Sequence, residues 1–552
     1  MGTSGRSGVQ ALISPVVAIA LAALLNGCGG GEKHKAASPK TTTSHTVSTT
    51  KTVASRLPGI VSFTDPSEQG TDKPQTWRMT IYDLRRHGPF LTLDFAAKCL
   101  VSGSLGCDGD AFFHEHEIVV GQAEEIKLID TTNNVAYWPV TDSQQDTYAS
   151  QGVGGNATLP PALFWVTFPA PPPSVKAMDV TFMNGGPEVP NVPITTAATG
   201  PTPSEVGGGT VAAPPDKFAK PPNSTDTSGL TFTVRPLSLG VGNPSGSDIE
   251  GGGRSTITLS SDVLFHFDKS NLTPAAQTIL KSVAARIKAS AKEAVSVSGY
   301  TDSIGTDAVN IPLSQARARS VVSFLKAATA GANVTYLTHG FGSQDPVAPN
   351  TKKDGSDNPA GRALNRRVMI TFAVRAPVKP APPAPAPPAN TSPSSGSLTA
   401  KYTANNFGTA TYGVTVNSLF RDGDMAVLRL DVECLDVVNN SGLPCDGIEN
   451  LGGSSTIPPT PGFQSTNSLT YRTAGGFYLQ DSSGNDYIPV YASAGGAPMT
   501  AEISQYIGST PWSVWVYFPA PPPSVTSVSV VMPGGSARIA DVPISASPPA
   551  LP

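Results

Sequence analysis

Eight consecutive residues occur twice in this chain. Phe168-Pro169-Ala170-Pro171-Pro172-Pro173-Ser174-Val175 returns as Phe518-Pro519-Ala520-Pro521-Pro522-Pro523-Ser524-Val525. Each copy leads into an alternating stretch, a Gly-Gly pair (Gly185-Gly186, Gly534-Gly535) and a Val-Pro-Ile (Val192-Pro193-Ile194, Val542-Pro543-Ile544). Upstream, Leu91-Thr92-Leu93-Asp94 matches Leu428-Arg429-Leu430-Asp431, and a pair of cysteines follows in both places. This predicts one module present twice, over 58–197 and 398–548. Short apolar/polar alternations between Gly and Pro turns, with almost no helical period, predict a β-sandwich for each, immunoglobulin-like in architecture only. The Pro-Pro-Pro has no N–H to give to a ladder, so it belongs at a corner or an edge. Two roles stay open for these flanks, a scaffold or spacer and a face for a protein or glycan partner.

The segment 251–375 between them has a different pattern. Thr273-Pro274 is a helix start, a hydroxyl cap with proline at the first helical position. Ile279, Leu280, Val283 and Ile287 follow at helical spacing. Residues 294–298 alternate as a half-buried strand, the chain turns through 302–305, and a second helix offers Leu313, Ala316, Val321, Phe324 and Leu325 as its buried face. The first strand and turn are expected at 263–272, and further strands at 334–337 and 368–374. The order β-α-β-α-β predicts an α/β sandwich with helices on one sheet face. Three segments read as connectors: 29–57 as a flexible Ser/Thr/Lys/Gly tether, 198–250 as a Pro/Gly/Thr-rich linker, and 376–397 as a polyproline II spacer of about 3.1 Å per residue.

Within the central segment lies Gly299-Tyr300-Thr301-Asp302-Ser303-Ile304-Gly305-Thr306-Asp307-Ala308-Val309-Asn310-Ile311-Pro312-Leu313-Ser314-Gln315-Ala316-Arg317-Ala318. The run resembles the signature of the OmpA-like peptidoglycan-binding domain, G-x-T-D-x-x-G-x-x-x-x-N-x-x-L-S-x-x-R-A. Three more blocks fall in that family's order: 263–272, then Gly340-Phe341-Gly342 with 346–350, and Gly361-Arg362-Ala363-Leu364-Asn365-Arg366-Arg367-Val368. Tyr300 stands where the family often has His, and Pro312 is expected in the helix's first turn, where proline is tolerated. The resemblance implies non-covalent binding of the diaminopimelate of the peptidoglycan stem peptide. On that reading Asp302 accepts the ligand's ammonium and Arg317 grips its carboxylate through two parallel N–H bonds. Asn310, two turns before Arg317 on one helix face, supports the site; Thr301 and Arg366 complete it, and Arg366 or Arg367 adds positive potential at the rim. Without the family, Asp302 reads as a turn or cap residue at the surface, Arg317 as a solvated helical side chain, and Asn310 as a brace for the loop.

The first residues bear on compartment. Arg6, an apolar run over 16–25 and Leu25-Asn26-Gly27-Cys28 make a signal peptide over 1–28 whose end resembles a bacterial lipobox, with Cys28 acylated, for example by palmitate. An ordinary signal peptide stays open as the alternative. In an exported protein the close pairs Cys99 with Cys107 and Cys434 with Cys445 read as disulfides. A net charge of −4 gives no nucleic-acid footprint. His114-Glu115-His116 reads as two surface histidines, and no constellation of paired carboxylates, activated nucleophile or metal ligands is evident. The expectation is a lipid-anchored, non-catalytic tether between membrane and wall, without cofactor or metal, in the outer membrane if the organism has one. A surface adhesion or assembly protein working through the flanks is the alternative.

Overall fold

The computed structural model describes residues 59–65, 75–101, 126–149, 162–182, 186–196, 227–291, 294–374, 398–405, 409–438, 474–492, 499–500, 511–533 and 537–549. The expectations on Cys28, the tether at 29–57, Cys107, His114, His116, Cys445 and the spacer at 376–397 lie outside them.

The first flank is built of β1 (Gly59–Asp65), β2 (Gln75–His87), β3 (Phe90–Val101), β4 (Ile126–Asp130), β5 (Val135–Tyr137), β6 (Thr141–Asp142), β7 (Ala162–Pro169), β8 (Ala177–Phe182) and β9 (Glu188–Thr195). One antiparallel sheet runs β1-β2-β3-β7, the other β5-β4-β8-β9, and β9 also touches β2 in parallel at Leu84 and Arg85. Met79, Ile81, Leu93, Phe95 and Val166 of the first sheet and Leu128, Val180 and Val189 of the second share one core. Each fully buried aliphatic or aromatic side chain there contributes roughly 1.5–3 kcal/mol.

Strands follow directly where the sequence predicts a linker. β10 (Leu230–Thr231), β11 (Val234–Asn243) and β12 (Gly246–Gly251) occupy the C-terminal part of 198–250. That expectation is corrected for 227–250. Gly, Ser and Pro hide the apolar alternation, but a ladder needs only backbone N–H and C=O groups. β10 pairs with β6, and β11 pairs with β5 at Val234 to Pro236 and with β12 from Leu239 onward.

The central domain continues the same sheet. β13 (Arg254–Ser260) is followed by α1 (Ser261–Leu264), α2 (Pro274–Ser290), β14 (Val295–Gly299), α3 (Asp307–Ala328), β15 (Tyr336–Gly340), α4 (Pro359–Asn365) and β16 (Arg367–Ala373). The sheet order is β15-β14-β16-β13-β12, with β14 and β15 parallel across the α3 crossover and the other pairs antiparallel. This differs from the expected β-α-β-α-β. The first strand lies before 263–272, because Val263 and Leu264 belong to α1, and Phe265 meets Leu272 only in an isolated bridge. Thr273 does cap α2: its Oγ1 accepts from Ala276 N at 3.0 Å and donates to Val263 O at 2.8 Å. The α2 face of Ile279, Leu280, Val283 and Ile287 packs with Ile257, Val297, Ile370 and Phe372.

The α3 face is turned relative to the expectation. Asn310, Ser314, Arg317, Ala318, Val321 and Leu325 are buried, while Leu313, Ala316 and Phe324 are only half-buried. Gly299 and Gly340, paired across β14 and β15, explain it. A Cβ on Gly299 would lie 2.3 Å from Ser314 O, and one on Gly340 would lie 2.4 Å from Gln315 N, so the helix backbone rests directly on the sheet. Pro312 is also further in than the first turn, since α3 begins at Asp307. Its ring costs the helix one hydrogen bond, which the close packing of Ser314 and Ala318 outlasts.

The second flank repeats the arrangement of the first with β17 (Leu398–Asn405), β18 (Thr409–Asp422), β19 (Met425–Val438), β20 (Tyr478–Gln480), β21 (Asp486–Ala492), β22 (Trp512–Pro519), β23 (Ser527–Val531) and β24 (Arg538–Pro543). One sheet is β17-β18-β19-β22 and the other β21-β20-β23-β24. β11 pairs with β21 from Leu237 to Gly242, so one strand is laddered to both flanks and to the central domain. The two Pro-rich copies lie just past β7 and β22. Their carbonyls are served by arginines, Arg86 on Pro171 O and Pro172 O, Arg421 on Pro521 O, Pro522 O and Val525 O. Ladder register corrects one match read from the text. Leu91 stands opposite Phe168, whereas Leu428 stands opposite Val516, so the counterpart of Leu428 is Leu93, opposite Val166. The slip keeps every side chain on its own sheet face, which is why the letters agree at the wrong offset.

Candidate functional site

The signature run leaves β14 at Gly299, crosses a loop and enters α3. Thr301 holds the crossing in place: its N–H donates to Gly342 O at 2.8 Å and its Oγ1 to Asp302 O at 2.9 Å. Asp302 is not at an exposed turn as expected, being only 8% exposed. Its Oδ1 accepts from Ile304 N at 3.1 Å, closing a local Asx turn, and its Oδ2 takes Arg366 Nη1 at 2.6 Å with Arg362 Nε 3.7 Å away. Asn310 donates from Nδ2 to Ile304 O at 3.0 Å and lies buried under the loop. Gly305, at φ +93°, makes the turn above it, a left-handed conformation that suits glycine.

Arg317 is the counterpart of Asp302 on the helix. It is 6% exposed, not solvated. Its Nε donates to Lys269 O at 3.1 Å and its guanidinium carbon lies 5.3 Å from the Phe265 ring. Among the described residues its two terminal nitrogens have no hydrogen-bond partner. Burial pulls the guanidinium below its ordinary value, while Asp262, Asp268 and Asp302 pull the other way. An arginine fixed by Nε with its terminal fork unused is arranged to meet a planar oxyanion.

Arg366 is not a free rim cation. It is clamped by Asp262, Nε to Oδ1 at 2.8 Å and Nη2 to Oδ2 at 2.6 Å, as well as by Asp302. The Asp262 bonds, then that with Asp302, push its value up. Arg367 is 3% exposed, lies 3.8 Å over the Tyr300 ring and donates to Asp345 O at 2.9 Å, so it braces the fold. Tyr300 in the family's frequent His position is therefore the platform for this arginine, stacked also on Phe341 with centroids 5.2 Å apart.

Sequence reasoning missed Asp262, Arg362, Phe265, Ser314 and the Lys269 carbonyl. Asp262 lies far from Asp302 in sequence, and the two meet only through Arg366. Ser314 Oγ accepts from Gly342 N at 2.9 Å, and Asn350 Oδ1 accepts from Ser303 N at 3.3 Å, tying the site loop to its neighbours. Asn365, part of the matched text, holds the 347–348 backbone through Oδ1 at 2.8 and 3.0 Å. The site thus gathers Asp262, Asp268, Asp302 and Asp357 around Arg317, Arg362 and Arg366. Such a near-neutral set of alternating charge is suited to a zwitterion.

Of the expected disulfides, Cys434 is disulfide-bonded. The side chains of the other cysteines lie outside the described residues.

Comparison with known proteins gives a consistent likeness for this segment. A model of the OmpA family matches residues 264–359. Over 114 residues the chain is 40% identical to outer membrane protein A of Bordetella avium, 21% of this chain and 55% of that protein. Over 109 residues it is 41% identical to the peptidoglycan-binding protein ArfA of Mycobacterium tuberculosis, 20% of this chain and 31% of that one. A 115-residue stretch is 44% identical to the photosystem I P700 chlorophyll a apoprotein A2 of Gloeobacter violaceus, but it covers 13% of that protein and 21% of this chain. The chain spans about half or less of each of these relatives. What this chain carries at its centre, between its two β-rich flanks, is an OmpA-like domain.

Proposed function

We propose that the central domain binds peptidoglycan non-covalently by the free zwitterionic end of a diaminopimelate stem peptide. Arg317 takes the carboxylate with its terminal fork. The ammonium enters beside Asp302, sharing that carboxylate with Arg366, whose second grip on Asp262 keeps it in place. Asn310 and Thr301 position the Asp302 loop and need not touch the ligand. The observation that carries the reading is the pinned, buried Arg317 guanidinium with its terminal nitrogens unused next to the Asp302–Arg366–Asp262 charges. The names of ArfA and outer membrane protein A support a wall-binding role in the cell envelope.

Around this domain, the proposal keeps Cys28 as a lipid anchor, 29–57 as its tether, the flanks as a duplicated module, and short-loop pairs Cys99–Cys107 and Cys434–Cys445. The whole would tie a membrane to the wall. The test is co-sedimentation of the full chain with purified sacculi. Arg317→Ala should weaken pelleting at least tenfold, since an unpaired charge in a desolvated contact costs about 2–5 kcal/mol. Arg317→Lys should also bind poorly, because it lacks the planar fork. Asp302→Asn is a poorer probe than a surface turn would make it, since it also loosens Arg366. Pelleting of folded Arg317→Ala at the wild-type level would sink the assignment. Equal binding to diaminopimelate-type and lysine-type walls would remove diaminopimelate as the ligand.

A further inference from the structure

The two flanks meet at a buried polar seam that the wall site does not use. From the first flank come Asp179 on β8, Glu188 and Asn191 on β9, and Thr131 after β4. From the second come Asp422 and Asp424 in the β18–β19 turn, Arg429 on β19, and Trp515 and Tyr517 on β22. Tyr517 OH donates to Asp179 Oδ2 at 2.7 Å, and Trp515 Nε1 donates to Gly186 O at 3.0 Å. Arg429 holds Glu188 Oε2 through Nε at 3.0 Å and Nη2 at 2.7 Å. Asp424 N donates to Thr131 O at 2.9 Å.

Asp179 and Asp422 converge on one asparagine. Asn191 N donates to Asp179 Oδ1 at 2.9 Å, while Asn191 Nδ2 reaches both oxygens of Asp422 at 3.3 Å. Thr131 Oγ1 adds a bond to Asp422 Oδ1 at 3.3 Å. Asp179, Glu188 and Asp422 are 2%, 3% and 6% exposed. Among the described residues Arg429 is the cation hydrogen-bonded to Glu188, while Lys127, buried on the same sheet face as Asp179, lies over the Trp138 ring. The other carboxylates nearby are engaged elsewhere: Asp130 in its own turn with Thr132 and Asn133, and Asp424 with Asn134 at 3.5 Å and within the field of Glu250. Three buried carboxylates against one guanidinium leave negative charge that the interior cannot hold unprotonated.

We propose that the contact between the flanks is a proton-linked latch, in which Asp179 and Asp422 share a proton that is present when the seam is closed and lost when it opens. Burial is the main cause that raises both carboxyls, with Asp422 and Glu188 adding to Asp179 through their charge. The sign follows. Carboxyls raised in the closed state favour closure below their ordinary range, 3.8 for Asp, and that contribution is lost as pH climbs through the raised values. Mild acid tightens the seam and alkali loosens it. β11 keeps both flanks attached meanwhile, so the latch governs the seam and not the connection.

The test is hydrogen exchange on the full chain, read at the seam amides Asn191 and Asp424, from about pH 5 to about pH 8, a window set by ordinary carboxylate values. Asp422→Asn keeps the side-chain shape and an oxygen for Thr131 while removing the shared proton. Above the ordinary carboxylate range, wild-type exchange should outrun that variant by up to about tenfold per unit of pH. Asp179→Asn removes the same proton from the other flank and should give the same flattening. It serves if the first variant fails to fold. A wild-type to variant ratio that stays constant across the range overturns the latch. Because Arg317 is untouched, wall binding by the Asp422→Asn protein is expected to remain, and its loss would count against the separation of seam and site.

Discussion

The two flanks share one ladder and differ at one corner. In the first, the β2–β3 turn has His87 opposite Phe90, and the strand continues with Thr92 opposite Thr167 and Asp94 opposite Trp165. In the second, the same places hold Asp422 opposite Met425, Val427 opposite Tyr517 and Arg429 opposite Trp515. The first corner closes on itself: His87 Nε2 meets Thr92 Oγ1 at 2.6 Å, Thr92 meets Thr167 at 3.2 Å, and Asp94 takes Arg85 at 3.3 Å. The second turns outward, and each of Asp422, Arg429, Trp515 and Tyr517 finds its partner in the first flank. A common frame has therefore been used once for internal closure and once for docking. The difference lies in polar side chains, so the strand order of both flanks stays the same.

The strongest way to break that comparison is Arg429→Met. It leaves Glu188, whose side chain is 0% exposed, without its cation. Removing one partner of a buried pair costs about 3–5 kcal/mol, and urea unfolding followed by tryptophan fluorescence should show a loss of that order. The loss should shrink toward mild acid, because Glu188, already raised mainly by burial, can then take a proton instead. A loss independent of pH would mean that Arg429 acts through packing on Phe420, 4.9 Å away, rather than through charge.

A smaller effect sharpens it. Gly88 and Gly423 occupy the same turn at φ 58° and 57°. Alanine at either should cost about 1–2 kcal/mol for the left-handed backbone. At Gly423 a Cβ would also lie 2.5 Å from Thr131 O, in the other flank. Gly423→Ala should therefore exceed Gly88→Ala by a further roughly 1–3 kcal/mol of steric cost. Equal melting temperatures for the two variants would remove this turn from the seam.

These particulars also show what the sequence made legible. The α2 face and its Thr273 cap follow from local spacing and chemistry, and local signals are what a sequence states directly. The α3 face was displaced because its cause lies in two glycines on other strands, Gly299 and Gly340. β11 was hidden for a related reason: ladder bonds come from the backbone, and a Gly/Pro/Ser-rich edge shows no alternation. Around the candidate site, the text singled out Asp302, Arg317 and Asn310 from one motif. It did not show that Arg366 is shared between Asp302 and Asp262, since no periodicity connects residues so far apart. The seam is the extreme case, because the bonds that close it join residues of the first flank to residues of the second, far away in sequence.

The mildest expected effect isolates the inward-facing corner. Burial pushes Asp94 up to about 7, with Asp83 adding to it and Arg85 opposing. A raised carboxyl contributes stability that is complete below 3.8, its ordinary value, and is lost as pH rises through about 7. The wild-type first flank should thus weaken from mild acid to mild alkali. Asp94→Asn holds neutral shape at every pH and should flatten the profile by about 1–2 kcal/mol, discounted from the full shift because Arg85 and solvent screen the charge. The seam weakens over the same range, so the measurement must be a difference. In an Asp422→Asn background the shared proton is gone and what still titrates in the seam, at Asp179 and Glu188, is common to both proteins compared, so the effect of Asp94→Asn should persist unchanged if the two corners are independent. Disappearance of the Asp94 effect in that background would show that the two corners titrate as one network and that the division between closure and docking is false.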